Sequence, residues 1–515
     1  MDDRSSTARH DGDMTITITV DSRLRIPLGE LPAEVASRLE EDFTHTNPQR
    51  AMLERLGVSP FALKKEPENI TTWEIDGDDF TIPRGGLARL REALLDFDCD
   101  YRVIDARTSG NGPKGIPPHT LTLRDYQSEI VKAALKFENS IIRAPTGSGK
   151  TTAALGLVGQ IALPTLVIVW TKNLFDQWVR RVMVEFGLKK HEVGMIKGGK
   201  KTVMPITIAM QQTLVRCAGD YVDTFGLVIC DEVQRFAART FMGVIDKLAA
   251  RYRIGMSADE RRKDKKEFLL YDVFGDVDIE IDQRTMIERG FVHDVVIDVV
   301  PTTFEAPWHG DIFKDEPGGK PSKARLKARL QAFNTIVDQM SVDKDRNALA
   351  VRIAVEYVKR GERVVIMSHR REHCMTLDAD VSALGHKCGR MLGSNVDDAE
   401  FEATREGLAS GELRVATGTY QAIGTGLDMP SVSVGVVSTP IANSRDGRSF
   451  FAQVRGRFCR TNEAGGKTGA RLVYLWDREV YGLKPIENLA RWNNVVRVLD
   501  GATFVGAREY IKRER

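Results

Sequence analysis

Three short stretches carry the residue types from which phosphate chemistry is built. The first is Ala144-Pro-Thr-Gly-Ser-Gly-Lys-Thr151, entered from the apolar SII and left through TAALGLV. Gly147 and Gly149 let the backbone turn its N–H groups inward, and a helix beginning there adds positive potential, which together suit a polyphosphate. Thr146, Gly147, Ser148, Gly149, Lys150, Thr151 and Thr152 are therefore the expected nucleotide cradle. Lys150 is expected to reach the β and γ phosphates, and the Thr151 hydroxyl to ligate Mg²⁺.

The second stretch, FGLVICDEVQRF, sets Asp231 and Glu232 at the end of an apolar run. Asp231 is expected to hold the magnesium with Thr151, and Glu232 to orient and deprotonate an attacking water. The third is FFAQVRGRFCR near the carboxyl end, where Arg455, Arg457 and Arg460 surround Gly456. Gln453, Arg457 and Arg460 fall at i, i+4 and i+7, so a helix projects them from one side. Phe450, Val454 and Phe458 form a separate apolar stripe. Arginines in so apolar a segment need an anion. The γ-phosphate of ATP is the expected one, a contact worth ~10³ to 10⁵ in rate in comparable systems. Lys150, Asp231, Glu232, Gln453, Arg457 and Arg460 form the expected catalytic set, with ATP and Mg²⁺ as cofactors.

These stretches need elements to hold them. From residue 121, β-branched runs alternate with helical stretches: LVIVW (166–170), ITIAM (206–210), LVIC (227–230) and YRIGMS (252–257). A second series follows with RVVIMS (363–368), RVAT (414–417), VSVGVVST (432–439) and ARLVYLW (470–476). Near-continuous apolar strands alternating with helices predict parallel sheets covered on both faces, hence two α/β domains. Ahead of them, TITITV alternates like a half-buried strand, TTWEI and FTIP flank DGDD as a hairpin, and a helix is expected over 87–97. The expected organisation is a lead-in over 1–14, an accessory α+β domain over 15–107 and a linker over 108–120. The ATP-binding domain spans 121–304, a linker or insertion 305–345, and the second α/β domain 346–515.

Hydrophobic residues make up 42% and charged residues 28% of the 515, a globular profile, and no apolar run approaches the ~20 residues of a membrane span. The six cysteines lie far apart and form no CxxC pair, so neither a disulfide framework nor a zinc ribbon is indicated and a reducing cytoplasm fits best. Net charge is only +2, so nucleic-acid affinity must come from local patches such as 189–201, 260–266 and 320–329. His369 and His373 lack a third ligand for zinc. Trp308 reads as a loop anchor, and the terminal REYIKRER as a frayed helix end.

In this order and spacing, the motifs over residues 121–480 resemble those of superfamily 2 helicases. LRDYQ (123–127) looks like the adenine-recognition element, with Gln127 as reader; APTGSGKT is similar to motif I, DEVQ to motif II and GMSAD (255–259) to motif III. QAIGTGLDMP (421–430) looks like motif V, which places Gly426 and Asp428 at the nucleotide, and QVRGRFCR like motif VI. LRDYQ, the DExH-like box, RVVIMSHRREH and QxxGRxxR are most similar to the XPB and UvsW branch of repair and recombination helicases. That resemblance implies an α/β fold of two tandem RecA-like parallel-sheet domains with a small N-terminal α+β accessory domain, 3′-to-5′ polarity and a DNA-binding amino-terminal region. It also implies nucleic-acid contacts at Thr171, Lys172, Gln212, Thr213, Ser368, Arg370, Thr417 and Thr419. The chain departs from the family at Gln234, where many relatives carry histidine or aspartate, and at Asp259, where threonine is usual. It departs again at Arg262-Lys263-Asp264, where Arg-Glu-Asp is usual.

The resulting expectation is a cytoplasmic, nucleoid-associated ATP hydrolase that unwinds or remodels branched DNA, with no membrane partner. An RNA helicase, the motor subunit of a restriction system and an ATP-gated DNA clamp that does not unwind stand as alternatives.

Overall fold

The computed structural model describes residues 15–514, apart from 56, 58–62, 64–65, 146, 237–238, 259–263, 278, 307–322, 393–397, 425–430, 442–450, 452–453, 457, 460–466, 468, 483 and 493–494. The chain divides into two compact units, the first running to Asp282 and the second from Gln283, with residues 146–148 grouped with the second.

The first unit contains two sheets. The smaller runs in the order Glu74–Asp76, Asp79–Pro83, Arg23–Pro27, Ile16–Val20, Tyr101–Asp105, antiparallel except for the last pair. The expected hairpin closes at Gly77, whose φ of 63° is the left-handed conformation that glycine adopts without strain. Helices Ala33–Asp42 and Leu87–Asp96 cover one face, burying Val35, Leu39, Leu90 and Leu94 against Ile16, Ile18 and Ile82.

The larger sheet has eight strands in the order Lys200–Thr202, Gly194–Lys197, Ile206–Met210, Thr165–Val169, Leu227–Asp231, Tyr252–Ser257, Asn139–Arg143, Ile279–Glu280. All neighbours are parallel except the Gly194–Lys197 and Lys200–Thr202 hairpin. Its central strands are wholly buried, as their unbroken β-branched runs predict. Parallel strands bring every strand end that precedes a helix to one edge, where ligands of open α/β sheets bind.

The two sheets of this unit are joined by buried polar contacts rather than by a free linker. Asp272, almost fully buried, accepts from Thr72 (2.7 Å), His45 (2.8 Å) and Arg89 (2.6 Å). Arg23 pairs with Asp246 at 2.7 Å, and Arg84 donates to the Ala250 carbonyl at 2.6 Å. The Pro83-Arg-Gly-Gly86 turn is the contact point. A Cβ on Gly85 would lie 2.3 Å from the Gly275 nitrogen, and one on Gly86 would strike the Phe43 ring. Within the expected linker, Thr108, Asn111 and Gly112 bond the backbone at Ala249, Asp223 and Thr224.

The second unit is an eight-stranded sheet in the order Cys388–Met391, Val415–Thr419, Val364–Ser368, Val434–Val437, Ala470–Trp476, Val295–Pro301, Val496–Asp500, Thr503–Gly506, parallel but for the last pair. Strand Val295–Pro301, assigned from sequence to the first α/β domain, lies in this second sheet between Ala470–Trp476 and Val496–Asp500. The segment read as a linker contains a 20-residue helix, Lys323–Val342. Its Ala332, Ile336 and Met340 recur four apart and are buried, the last two against Phe304 and Val480. The terminal helix Ala507–Glu514 is packed rather than frayed, with Tyr510 buried edge-on to Trp476. Two α/β parallel-sheet domains of RecA-like type, with a small N-terminal α+β domain, are thus the architecture of the chain.

Candidate active site

Strand Asn139–Arg143 delivers the glycine-rich loop, and helix Lys150–Ile161 begins directly behind it. Gly147 (φ 92°) and Gly149 (φ 76°) both take the left-handed conformation. A Cβ on Gly149 would lie 2.5 Å from Gln127 Nε2, so the loop and the Gln127 amide are in direct contact. The Gln127 Oε1 accepts the Arg124 backbone N–H at 3.0 Å, which fixes the side chain in its buried position. Lys150 Nζ donates to the Ala144 carbonyl at 2.8 Å. Its ammonium is thus folded into the loop whose phosphates it would bind.

Two strands away, Leu227–Asp231 ends on the acidic pair. Asp231 is buried and accepts from the Trp178 indole N–H at 2.8 Å. Burial first, then the neighbouring Glu232, raise its pKa to about 6; the Trp178 bond and the Lys150 charge oppose the rise. Two adjacent carboxylates in so dry a place call for a cation, and the Lys150 charge is close enough to be felt. The donor set, hard carboxylate oxygen with a threonine hydroxyl from the loop, fits Mg²⁺.

Glu232 takes a left-handed backbone conformation, φ 55°, rare for a non-glycine residue and a mark of functional sites. Its Oε2 accepts from Gln234 Nε2 at 2.5 Å, and Gln234 Oε1 accepts from the Ser257 hydroxyl at 2.7 Å. Gln234, one of the departures from the helicase pattern noted in the sequence, is therefore the bridge between Glu232 and Ser257. An amide serves here because it donates to the carboxylate with one end and accepts from the hydroxyl with the other.

Helix Lys172–Glu185 holds both parts of the site. Thr171 caps it by accepting from the Leu174 N–H at 3.3 Å. Trp178 and, one turn later, Arg181 project from one face; Arg181 reaches the Thr152 hydroxyl at 3.0 Å. Ser257 lies in the stretch matched to motif III, but neither Trp178 nor Arg181 nor the role of Gln234 follows from the motifs. The only sequence signal is the helical spacing in DQWVRR.

Of the expected nucleic-acid contacts, Lys172 and Gln212 are exposed; Gln212 donates to the Trp170 carbonyl at 3.0 Å. The Thr213 hydroxyl accepts the Gly198 N–H at 2.9 Å. In the second unit, Arg370 is ion-paired with Asp338 at 2.6 Å. Ser368 and Thr417 are fully buried, so their side chains offer nothing to a phosphate backbone. Ser368 instead bonds His373 at 2.9 Å, and His373 bonds Asn347 at 2.8 Å. Thr419 is almost buried and accepts the Ala422 N–H at 3.3 Å. Thr146, Gly426, Asp428, Gln453, Arg457 and Arg460 lie outside the described residues, as do Asp259, Arg262, Lys263 and Trp308. Asp264 is described; its carboxylate accepts the Lys266 backbone N–H at 3.2 Å. Arg455 is described and partly buried, and desolvation lowers its pKa.

Residues 120–261 match the family model of the type III restriction enzyme res subunit. A putative DNA 3′-5′ helicase Rad25 of Halobacterium salinarum is 28% identical over 67% of this chain and 59% of its own length. By sequence the chain is thus similar to proteins named as Rad25 and XPB helicases. The DNA 3′-5′ translocase XPB2 of Sulfurisphaera tokodaii is 25% identical over 72% of the chain and 84% of its own. Among solved structures, T4 UvsW aligns over 94% of this chain and 99% of its own, with 14% identity and a TM-score of 0.41. The match to the Halobacterium protein spans less than two thirds of that protein. Among the described residues, no helix is long and apolar enough to cross a membrane.

Proposed function

We propose that the chain is an ATP-dependent DNA helicase or translocase that couples hydrolysis to the unwinding or remodelling of branched DNA in the cytoplasm. The observation that carries this reading is the chain of contacts from Glu232 through Gln234 to Ser257, set beside a phosphate loop whose lysine acts on Asp231. Such wiring serves hydrolysis, because it holds a carboxylate in one orientation toward an incoming water.

In the proposed reaction Lys150 leaves the Ala144 carbonyl for the β and γ phosphates, and Gln127 contacts the adenine. Glu232 orients the water and takes its proton, while Gln234 keeps the carboxylate turned to that task. Asp231 and Thr151 hold Mg²⁺, which supplies neutralisation of the phosphate charge. The donors Trp178 and Arg181 fix Asp231 and Thr152 from behind. Gln453, Arg457, Arg460, Gly426 and Asp428 keep the roles expected from the sequence as part of this proposal. On the nucleic-acid side, Lys172, Gln212, Thr213 and Arg370 remain as candidates. The names of the Rad25 and XPB2 relatives favour DNA over RNA as the track.

The test is the steady-state ATPase rate without nucleic acid and with single-stranded DNA, duplex DNA, a four-way junction and RNA. Strong stimulation by single-stranded or branched DNA is the expected result. Stimulation by RNA alone would replace the DNA assignment, and no stimulation by any of them would remove the motor.

A further inference from the structure

Trp170 stands outside its strand. Thr165–Val169 ends one residue earlier, and the indole is left 38% exposed, although its strand neighbours are fully buried. Three observations give this exposed ring a place in the machinery. It sits at the helix-preceding edge of the sheet, directly before Thr171 and the exposed Lys172. Its carbonyl accepts from exposed Gln212, in the short helix Gln211–Leu214 that follows the adjacent strand Ile206–Met210. Its ring meets Phe236 edge-to-face, with centroids 6.3 Å apart and planes at 86°.

Phe236 is fully buried and closes the short turn that follows Glu232, its N–H bonded to the Val233 carbonyl at 2.9 Å. The perpendicular contact fixes the indole plane, and the ring stays partly exposed. Strand order adds the geography. The Leu227–Asp231 strand lies between the phosphate-loop side of the sheet and the two strands that end at Val169 and Met210, just before Trp170 and Gln212. A flat, partly exposed ring fixed by a perpendicular neighbour and flanked by a lysine and an amide is the combination that binds an unpaired base and its phosphate.

We propose that Trp170 is a stacking platform for one base of the bound DNA strand, with Lys172 and Gln212 taking the adjoining backbone. This rests on the motor reading above and names a residue that the helicase motifs leave without a role. Because the platform leans on Phe236, the base is read by the same turn that carries Glu232 and Gln234.

The test compares equilibrium binding of two oligonucleotides of equal length, oligo(dT) and its abasic counterpart, by the full chain and by variants. The unaltered chain is expected to prefer oligo(dT) by about 5- to 150-fold, the range of one base–aromatic stack. Trp170→Ala is expected to lose that preference, and Trp170→Phe to keep most of it. Thermal unfolding checks each variant for folding. Should Trp170→Ala fail to fold, Trp170→Leu refills the contact with Phe236 without a flat ring and carries the same comparison. If the non-aromatic variant keeps the preference for oligo(dT) while DNA still stimulates ATPase, Trp170 is no platform and the motor reading stands. If the unaltered chain neither binds DNA nor responds to it, the motor reading fails and this inference falls with it.

Discussion

In the first eight-stranded sheet the polar groups at the strand ends are acids and donors kept under electrostatic tension. Asp231 is buried beside Glu232 with its pKa raised, and Glu232 is held by a single amide. In the second sheet several described strand-end groups are satisfied among themselves. Asp477 pairs with Arg346 at 2.8 Å where both are almost wholly buried, and Thr302 donates to the same carboxylate at 2.5 Å. Ser368, His373 and Asn347 close a neutral network alongside. The difference teaches that a shared architecture does not share its chemistry: the first sheet keeps charge waiting for a ligand, and these groups of the second serve its own stability.

Each side of that contrast can be broken. The largest effect is expected from Lys150→Ala, which should lower the ATPase rate by roughly 10² to 10³, the scale of one lost charge-stabilising donor. A rate within a few-fold of the unaltered chain would remove the phosphate loop from the mechanism. In the second sheet, Arg346→Ala leaves Asp477 buried and unpaired, with an expected loss of about 3–5 kcal/mol in urea unfolding. An unchanged midpoint would mean that the pair is not structural.

A smaller effect is expected at the bridge. Gln234→Ala frees both Glu232 and Ser257, and should lower kcat by about 10-fold, the scale of one or two hydrogen bonds. A fall in stability with kcat preserved would make Gln234 a structural residue like those of the second sheet.

The smallest effect is one of pH. Burial first, then Arg370, lower the pKa of His369 to about 4; burial, then Arg346, lower that of His373 to about 3. Both rings stay neutral in the fold, whereas the unfolded chain takes up protons near the ordinary value of 6.5. Their stabilising contribution is therefore complete above about pH 6.5 and falls as the pH drops toward 4 and 3. The slope is at most ~1.4 kcal/mol per pH unit for each ring. Urea midpoints between pH 7.5 and 5 should show this decline, flattened in His373→Gln; a flat profile for the unaltered chain would contradict it.

Much of this was legible before any coordinates. The strand runs 166–170, 227–230 and 363–368 fall within one residue of their strands, because a fully buried parallel strand must be apolar throughout. The phosphate loop and the Asp231-Glu232 pair were legible because their chemistry lies in contiguous residues. Trp178 and Arg181 were not, since each acts on a partner distant in sequence and looks like ordinary helix filler. The buried contacts of Arg23, Arg84 and Asp272 stayed hidden for the same reason. Thr417 and Ser368 misled because a hydroxyl at a strand end can face the sheet interior as readily as the solvent.

The most direct test of the central claim, that hydrolysis is driven from the first sheet's strand ends, pairs nucleotide binding with single-turnover hydrolysis in Glu232→Gln. The amide keeps the shape of the side chain and removes its basicity. ATP affinity should stay within a few-fold of the unaltered chain while phosphate release slows by about 10² to 10⁴, the scale of a lost general base. Hydrolysis at the unaltered rate would show that Glu232 does not activate the water.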